Sequence, residues 1–306
     1  MTKRSNGTVG IVGLGNMGGA FAGHLAAAGW HVLGFDIDVA RNRAAARAGV
    51  EIAPDVTALA AAAPVMILSL PSPQVLDATV TAITRQEIPA RIVVETSTFT
   101  LADKQRAASA LRDAGHVMLD CPVSGTGAQA AVKDIVIYAS GDAKAVAKVT
   151  RMFSDFSRAA YNVGEFGNGS RMKYVANLLV TIHNVASAEA MVLGVKSGLD
   201  PQLVYDLICA GVGTSRVFEV RGPMMVKNRY DDASMSIKLY HKDIAVIEDH
   251  AATLGVPTPL FSASIPMYSA ALSMGYGEQD TASVCGVLRT MAGIENGEPG
   301  ERSKRR

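Results

Sequence analysis

Val9-Gly10-Ile11-Val12-Gly13-Leu14-Gly15-Asn16-Met17-Gly18 is a β-branched run that ends in G-x-G-x-x-G, a spacing able to cradle phosphates. Gly13 permits a tight turn, Gly15 lets the backbone approach a pyrophosphate, and Gly18 lets the following helix lie close to its sheet. Amides at a helix N-terminus then face the phosphates, so the turn Gly13-Leu14-Gly15-Asn16-Met17-Gly18 needs no basic side chain to hold a dinucleotide. Asp36 ends the next apolar run, eighteen residues after Gly18 and near the roughly 20 expected of a carboxylate that hydrogen-bonds the adenosine ribose. A carboxylate there repels a 2′-phosphate, which favours NAD as cofactor with NADP as the second option. Arg41, Arg43 and Arg47 read as the solvated face of the next helix, although they could partly neutralise that charge.

Two later segments could complete a site. Asp120-Cys121-Pro122-Val123-Ser124-Gly125-Thr126-Gly127 follows a strand pattern, and small residues with free amides at a strand's carboxyl end can hold a carboxylate. On spacing alone the segment reads as an ordinary loop, with Cys121 a small buried hydrophobe. Gly164 to Asn177 leads into a long helix on which Lys173 and Asn177, four apart, share a face that continues through Val180, Thr181 and Asn184. Met172, Val175, Leu179, Ile182, Ala186 and Met191 form a separate apolar stripe. A helical lysine is ordinarily a solvated charge; what points to chemistry is its place at a domain junction, where ligand clefts form.

The elements that must position these residues follow from periodicity. Strand patterns at Val9–Val12, His31–Asp36, Val65–Leu70, Ile92–Glu95, His116–Asp120 and Ile135–Ser140 alternate with helical ones near Met17–Ala28, Val39–Ala48, Gln74–Ile83 and Leu101–Ala114. That alternation predicts an α/β, doubly wound Rossmann domain of six strands over residues 1–165. Beyond Gly164 the strand signals stop, and an all-helical domain is expected over 166–295, with an interdomain helix at about Asn168 to Lys196 and breaks at Gly198–Pro201, Arg221–Pro223 and Gly255–Pro259. Ala58–Ala63 reads as helix surface, and residues 296–306, which include the basic run Glu301 to Arg306, as a frayed tail.

Composition bounds the class. The chain has 306 residues, 49% hydrophobic and 19% charged, which excludes disorder and suits two domains. Twenty-nine basic side chains against 28 acidic ones give no field for nucleic acid or an anionic membrane, so neither is an expected partner. Three separated cysteines suit a reducing compartment, no apolar leader opens the chain, and no run approaches the ~18 uninterrupted apolar residues of a membrane span. These features together predict a cytoplasmic protein. Scattered histidines offer no metal-ligand spacing, and no G-x-S-x-G elbow is present.

Taken in order, Gly13 to Gly18, Asp120 to Gly125, Gly167 to Asn177 and Lys242-Asp243 resemble the β-hydroxyacid dehydrogenase family over roughly residues 8 to 293. The resemblance implies a nicotinamide-dependent oxidoreductase acting on a small 3-hydroxy acid or the corresponding semialdehyde or keto acid. It makes Lys173 the catalytic lysine and Asn177 a substrate-positioning residue. Ser124 and Gly125 become the substrate-carboxylate turn, with Thr126 beside it. Lys242 becomes a second lysine near both substrate and nicotinamide, able to lower the pKa of Lys173, with Asp243 as its partner in the motif. Leu70, Pro71, Ser97 and Thr98 become cofactor-contacting loop positions, and Asp280 a structural aspartate. A homodimer or homotetramer agrees with the apolar stretches of the helical half, such as Leu260 to Met267. Thr126 and Cys121 depart from the common pattern beside the substrate turn, which argues against carrying over any one member's substrate. An imine reductase-like enzyme, or a catalytically silent cofactor-binding scaffold, is the alternative; the intact Lys173 and Asn177 argue against the first, and the retained Lys173 against the second.

Overall fold

The computed structural model describes residues 6–294; the expected tail at 296–306 lies outside the described residues. The chain forms two compact units that meet in sequence after Tyr174.

In the first unit the strands and helices alternate: β1 (Thr8–Val12), α1 (Asn16–Ala27), β2 (His31–Phe35), α2 (Val39–Arg47), β3 (Glu51–Ile52), α3 (Val56–Ala62), β4 (Val65–Leu68), α4 (Pro73–Thr84), β5 (Ile92–Glu95), α5 (Leu101–Asp113) and β6 (Val117–Asp120). All neighbouring strands run parallel in the order β3-β2-β1-β4-β5-β6, the doubly wound arrangement in which ligands collect at the carboxyl ends of the strands. The period of two explains why both faces are covered. Val9 and Ile11 of β1, Ile67 of β4 and Val94 of β5 enter one core with Phe21 and Leu25 of α1. Val12, Met66, Leu68 and Val93 enter the other with Leu59, Leu76, Val80 and Leu111 of α3, α4 and α5.

Two expectations about this sheet are corrected. Its sixth strand is β3, a two-residue piece too short to register as an alternation. The run expected at Ile135–Ser140 instead joins a separate three-stranded sheet: β7 (Val123–Ser124), then α6 (Gly127–Ala131), β8 (Val136–Ala139), α7 (Ala143–Ser154) and β9 (Ala159–Asn162). β8 pairs antiparallel with β7 and parallel with β9. A parallel crossover from β6 needs about a dozen residues, usually a full helix. Residues 121–135 would be long enough, but Pro122, β7 and the five-residue α6 fill them in place of a full crossover helix, and β8 pairs with β7 and β9 instead. Ala58–Ala63 is surface on one side only, since Ala60 and Ala63 are buried.

α8 (Asn168–Lys196) runs from the first unit into the second, which continues with α9 (Pro201–Ala210), α10 (Arg216–Lys227), α11 (Ile237–Leu254), α12 (Pro259–Ser273), a 3₁₀ turn at Thr281–Ser283 and α13 (Val284–Met291). By length and composition α8 could cross a membrane. Its row of Ser170, Lys173, Asn177, Thr181 and Asn184 is buried, the pattern of a core helix with polar work to do. Its apolar residues Val175 and Leu179 are exposed, the reverse of an ordinary amphipathic helix.

The break expected at Arg221–Pro223 is absent, because α10 continues through Pro223. Proline removes the amide that would serve the carbonyl of Glu219. That carbonyl accepts instead from the Tyr205 hydroxyl on α9, at 3.0 Å. Tyr205→Phe is therefore expected to cost about 1 kcal/mol, measured by urea unfolding, and less in a Pro223→Ala background, where a backbone N–H takes over. Equal costs in the two backgrounds would count against this account.

Candidate active site

The glycine turn has the shape a dinucleotide needs. Gly13 lies at φ +89°, and a side chain there would collide with the Ser69 carbonyl, while one at Gly18 would collide with the Gly13 carbonyl. At Gly15 the nearest atom to an added Cβ is the flexible end of Arg41, at 3.5 Å, so the backbone is open on that side. Gly15 caps α1 with no side-chain bond to the helix amides and no acid in the first turn, so nothing there repels an anion. At the end of β2, Asp36 is buried and accepts from the Leu14 amide at 2.7 Å and the Asp38 amide at 2.9 Å. Arg41 approaches Asp36 at 3.5 Å and Asp38 at 3.6 Å. This cradle fits the adenosine and pyrophosphate portions of a nicotinamide dinucleotide. Asn16 is exposed and Met17 half-buried on the first turn of α1.

The loops after β4 and β5 are tied to each other. The buried Leu70 donates its amide to the Ser97 hydroxyl at 2.9 Å, with the exposed Pro71 after Leu70 and the half-buried Thr98 after Ser97. Ser124 ends β7, and the left-handed Gly125 (φ +137°) follows it. Thr126 caps α6 in a reciprocal box with Gln129. An added Cβ at Gly127 would stand 2.9 Å from Cβ of Asn16, so the serine–glycine turn lies against the dinucleotide turn. Cys121 is fully buried and its thiol is pushed up by burial, as befits an inert hydrophobe.

The start of α8 packs on the same strand ends. At Gly169 an added Cβ would sit 2.5 Å from the Tyr138 carbonyl and 2.6 Å from that of Asp120. The adjacent Ser170 donates its amide to the Asp120 carboxylate at 2.8 Å. Tyr174 donates to the Phe99 carbonyl, and burial pushes its hydroxyl up to about 12, so it stays a donor. Between these anchors Lys173 is only 8% exposed.

In the second unit Asn177 (4% exposed) donates to Asp243 Oδ2 at 2.9 Å, and Lys242 Nζ lies 3.7 Å from Asp243 Oδ1. The Asn177 carbonyl accepts from Thr181 and Tyr240 at 2.8 and 3.1 Å. Asp280, fully buried, accepts from the Ser234 and Met235 amides and faces Arg221, a purely structural set of contacts. Sequence reasoning missed Tyr240, whose place one turn before Asp243 on α11 was the available signal, and it left Asp243 without a task.

A turn of backbone amides with Arg41 at its edge and Asp36 below it suits a ligand that carries phosphates and a ribose. Relatives agree. Residues 8–164 match the NAD-binding domain of 6-phosphogluconate dehydrogenase, and residues 167–288 match the NAD-binding domain family of NADP-dependent 3-hydroxyisobutyrate dehydrogenase. The chain is 32% identical to the L-threonate dehydrogenase of Escherichia coli K12 over 94% of its own length and 95% of the relative's. The crystal structure of 3-hydroxyisobutyrate dehydrogenase from Salmonella typhimurium superposes with a TM-score of 0.84 at 28% identity, covering 92% of this chain and all of that one. An imine reductase from Myxococcus stipitatus, at 17% identity and a TM-score of 0.60 over 92% of this chain and 99% of that one, shares the fold alone. The chain belongs to the β-hydroxyacid dehydrogenase family, and it is a nicotinamide-dependent hydroxyacid oxidoreductase.

Gly18→Ala would drive a methyl group into the Gly13 carbonyl. The variant is expected to keep its circular dichroism spectrum and lose measurable NADH binding by fluorescence titration. Unchanged affinity would show that this turn does not hold the cofactor.

Proposed function

We propose that the enzyme interconverts a small 3-hydroxy acid and its semialdehyde or keto acid, with Lys173 as general acid/base and L-threonate or 3-hydroxyisobutyrate as the model substrate class. The observation that carries this reading is burial: a lysine serving only as a solvated charge would project from α8, whereas Lys173 is buried one turn before the equally buried Asn177. In the oxidative direction the Lys173 amine takes the proton of the substrate hydroxyl, and in reduction the ammonium returns it. Asn177, held by Asp243, orients the oxygen. Ser124 and Gly125 bind the carboxylate with their backbone amides and hydroxyl, and Thr126 borders them and tunes which acid fits. Lys242 adds positive charge for the bound anions. When bound, the nicotinamide supplies the two-electron acceptor, or the donor in reverse, held by Gly13 to Gly18, Asp36, Leu70, Pro71, Ser97 and Thr98.

Positioned proton transfer contributes about 10²–10⁴ in rate. Lys173→Ala is therefore expected to lower kcat with L-threonate or 3-hydroxyisobutyrate by that factor while NADH binds as before. A kcat near that of the unaltered enzyme removes Lys173 from the chemistry. Retained cofactor binding without turnover of any acid in a broad panel, by the unaltered protein, would favour a silent scaffold instead.

For the cofactor we propose NAD ahead of NADP. In support, Arg41 is engaged by both Asp36 and Asp38, so its charge is answered before a 2′-phosphate could use it. NADH should bind more tightly than NADPH, and Asp36→Ser should narrow the gap by roughly tenfold, equivalent to about 1.4 kcal/mol. Tighter NADPH binding to the unaltered protein overturns the assignment. A homodimer or homotetramer in the cytoplasm is the accompanying proposal, supported by the exposed Leu193, Leu207 and Leu260 of the second unit and by three unpaired cysteines.

A further inference from the structure

Glu95 and Asp120 are register partners at the carboxyl ends of the neighbouring strands β5 and β6. Both are fully buried, and so is Lys104 of α5, whose Nζ lies 2.7 Å from Glu95 Oε2 and 2.7 Å from Asp120 Oδ1. Burial by itself would push the ammonium towards neutrality, but Asp120 and Glu95 more than offset it and hold Lys104 above the ordinary lysine value. One cation against two carboxylates leaves a net negative charge in the interior. Such a cluster is poor value as a stabiliser, since well-packed apolar residues commonly do as well or better. Its contacts suggest what it does instead.

Asp120 Oδ1 accepts from Lys104 and from the Ser170 hydroxyl at 2.9 Å, Oδ2 accepts from the Ser170 amide at 2.8 Å, and the Asp120 backbone carbonyl accepts from the Ser140 hydroxyl at 2.9 Å. The Ser140 oxygen in turn accepts the Gly169 amide at 3.0 Å. The first-turn amides of α8 are thus satisfied by groups at the ends of β6 and β8, and the residual negative charge sits where the helix dipole favours it. Ser170 precedes Lys173 by three residues, so the two lie on one face. On the other side, Glu95 Oε1 accepts the Ser97 amide at 2.8 Å, and Ser97 Oγ accepts the Leu70 amide. One chain of contacts therefore runs from the Leu70 and Ser97 loops to the first turn of α8, one turn before Lys173.

We propose that Lys104 is a positioning residue: through Asp120 and Ser170 it sets the height and rotation of the first turn of α8, and through Glu95 it references that turn to the Leu70 and Ser97 loops. This rests on Lys173 being the acid/base, and the test separates the two. The variants are Ser170→Ala, which removes one hydroxyl, and Lys104→Met with Glu95→Gln, which keeps the cluster's net charge while untying Asp120. Lys173→Ala and Lys173→Ala with Ser170→Ala complete the set. With NAD and L-threonate, or 3-hydroxyisobutyrate if that is the faster substrate, the first two should keep KM for both reactants within about twofold. Their kcat should fall about ten- to hundredfold, the size expected of a displacement of order 1 Å. Ser170→Ala should add nothing in the Lys173→Ala background, because a missing amine cannot be misplaced. If the charge-conserving double variant does not fold, Ser170→Ala carries the comparison alone. Unchanged kcat in Ser170→Ala, a loss confined to KM, or the same loss with and without Lys173 overturns the positioning role. A normal kcat in Lys173→Ala would instead overturn the acid/base reading beneath it.

Discussion

Asp120 is the carboxylate on which the first unit's functional geometry hangs. It ends β6, pairs with Lys104 and receives the Ser170 amide and hydroxyl. Its own backbone exchanges hydrogen bonds with Ser140 at 3.0 and 2.9 Å, which fixes the end of β8 beside it. Three chain segments that share no local sequence thereby meet at one atom group. Buried in low dielectric, such bonds to a charged acceptor are individually stronger than neutral ones and costly to leave unmade. The cluster consequently has few alternative arrangements, and that property is worth more to a reacting centre than raw stability.

The cofactor side achieves the same definition with backbone. Gly13 and Gly18 allow the Ser69 and Gly13 carbonyls to approach where any side chain would collide. Asp36 then secures the open turn from below through the Leu14 amide. Anchoring by backbone leaves the amides at the start of α1 available for a ligand, whereas a basic side chain there would bring its own conformational entropy to be lost on binding. The two strategies meet at Ser97, whose hydroxyl serves Leu70 and whose amide serves Glu95.

The dinucleotide turn was legible because each of its glycines has a local task that spacing records, and α8 because its 29 residues contain no proline and run up to the Gly198–Pro201 break. Lys104 was not. In the sequence it is one more polar position in a helix with arginines and aspartates around it, and its partners lie nine and sixteen residues away. A trace did exist: two expected strands each end in an acid, and adjacent parallel strands put those acids side by side, where burial demands a cation. Pro223 misled for a related reason. A breaker is a statement about one missing amide, and Tyr205 supplies the bond from another helix.

α8 brings these points to their consequence. Periodicity assigns a helix its stripes, but burial follows whichever stripe can satisfy itself. Along the buried row the polar side chains find partners: Ser170 on Asp120, Asn177 on Asp243, Thr181 on Tyr240, and the Asn184 amide nitrogen on Tyr268 and the Thr281 carbonyl. A row of paired groups of this kind is specific, because a small rotation of the helix would strand several members at once, whereas an apolar row tolerates slippage. The cost is that the apolar stripe faces outward at Val175 and Leu179. A helix whose polar row is buried and paired therefore gives up part of its usual hydrophobic seat.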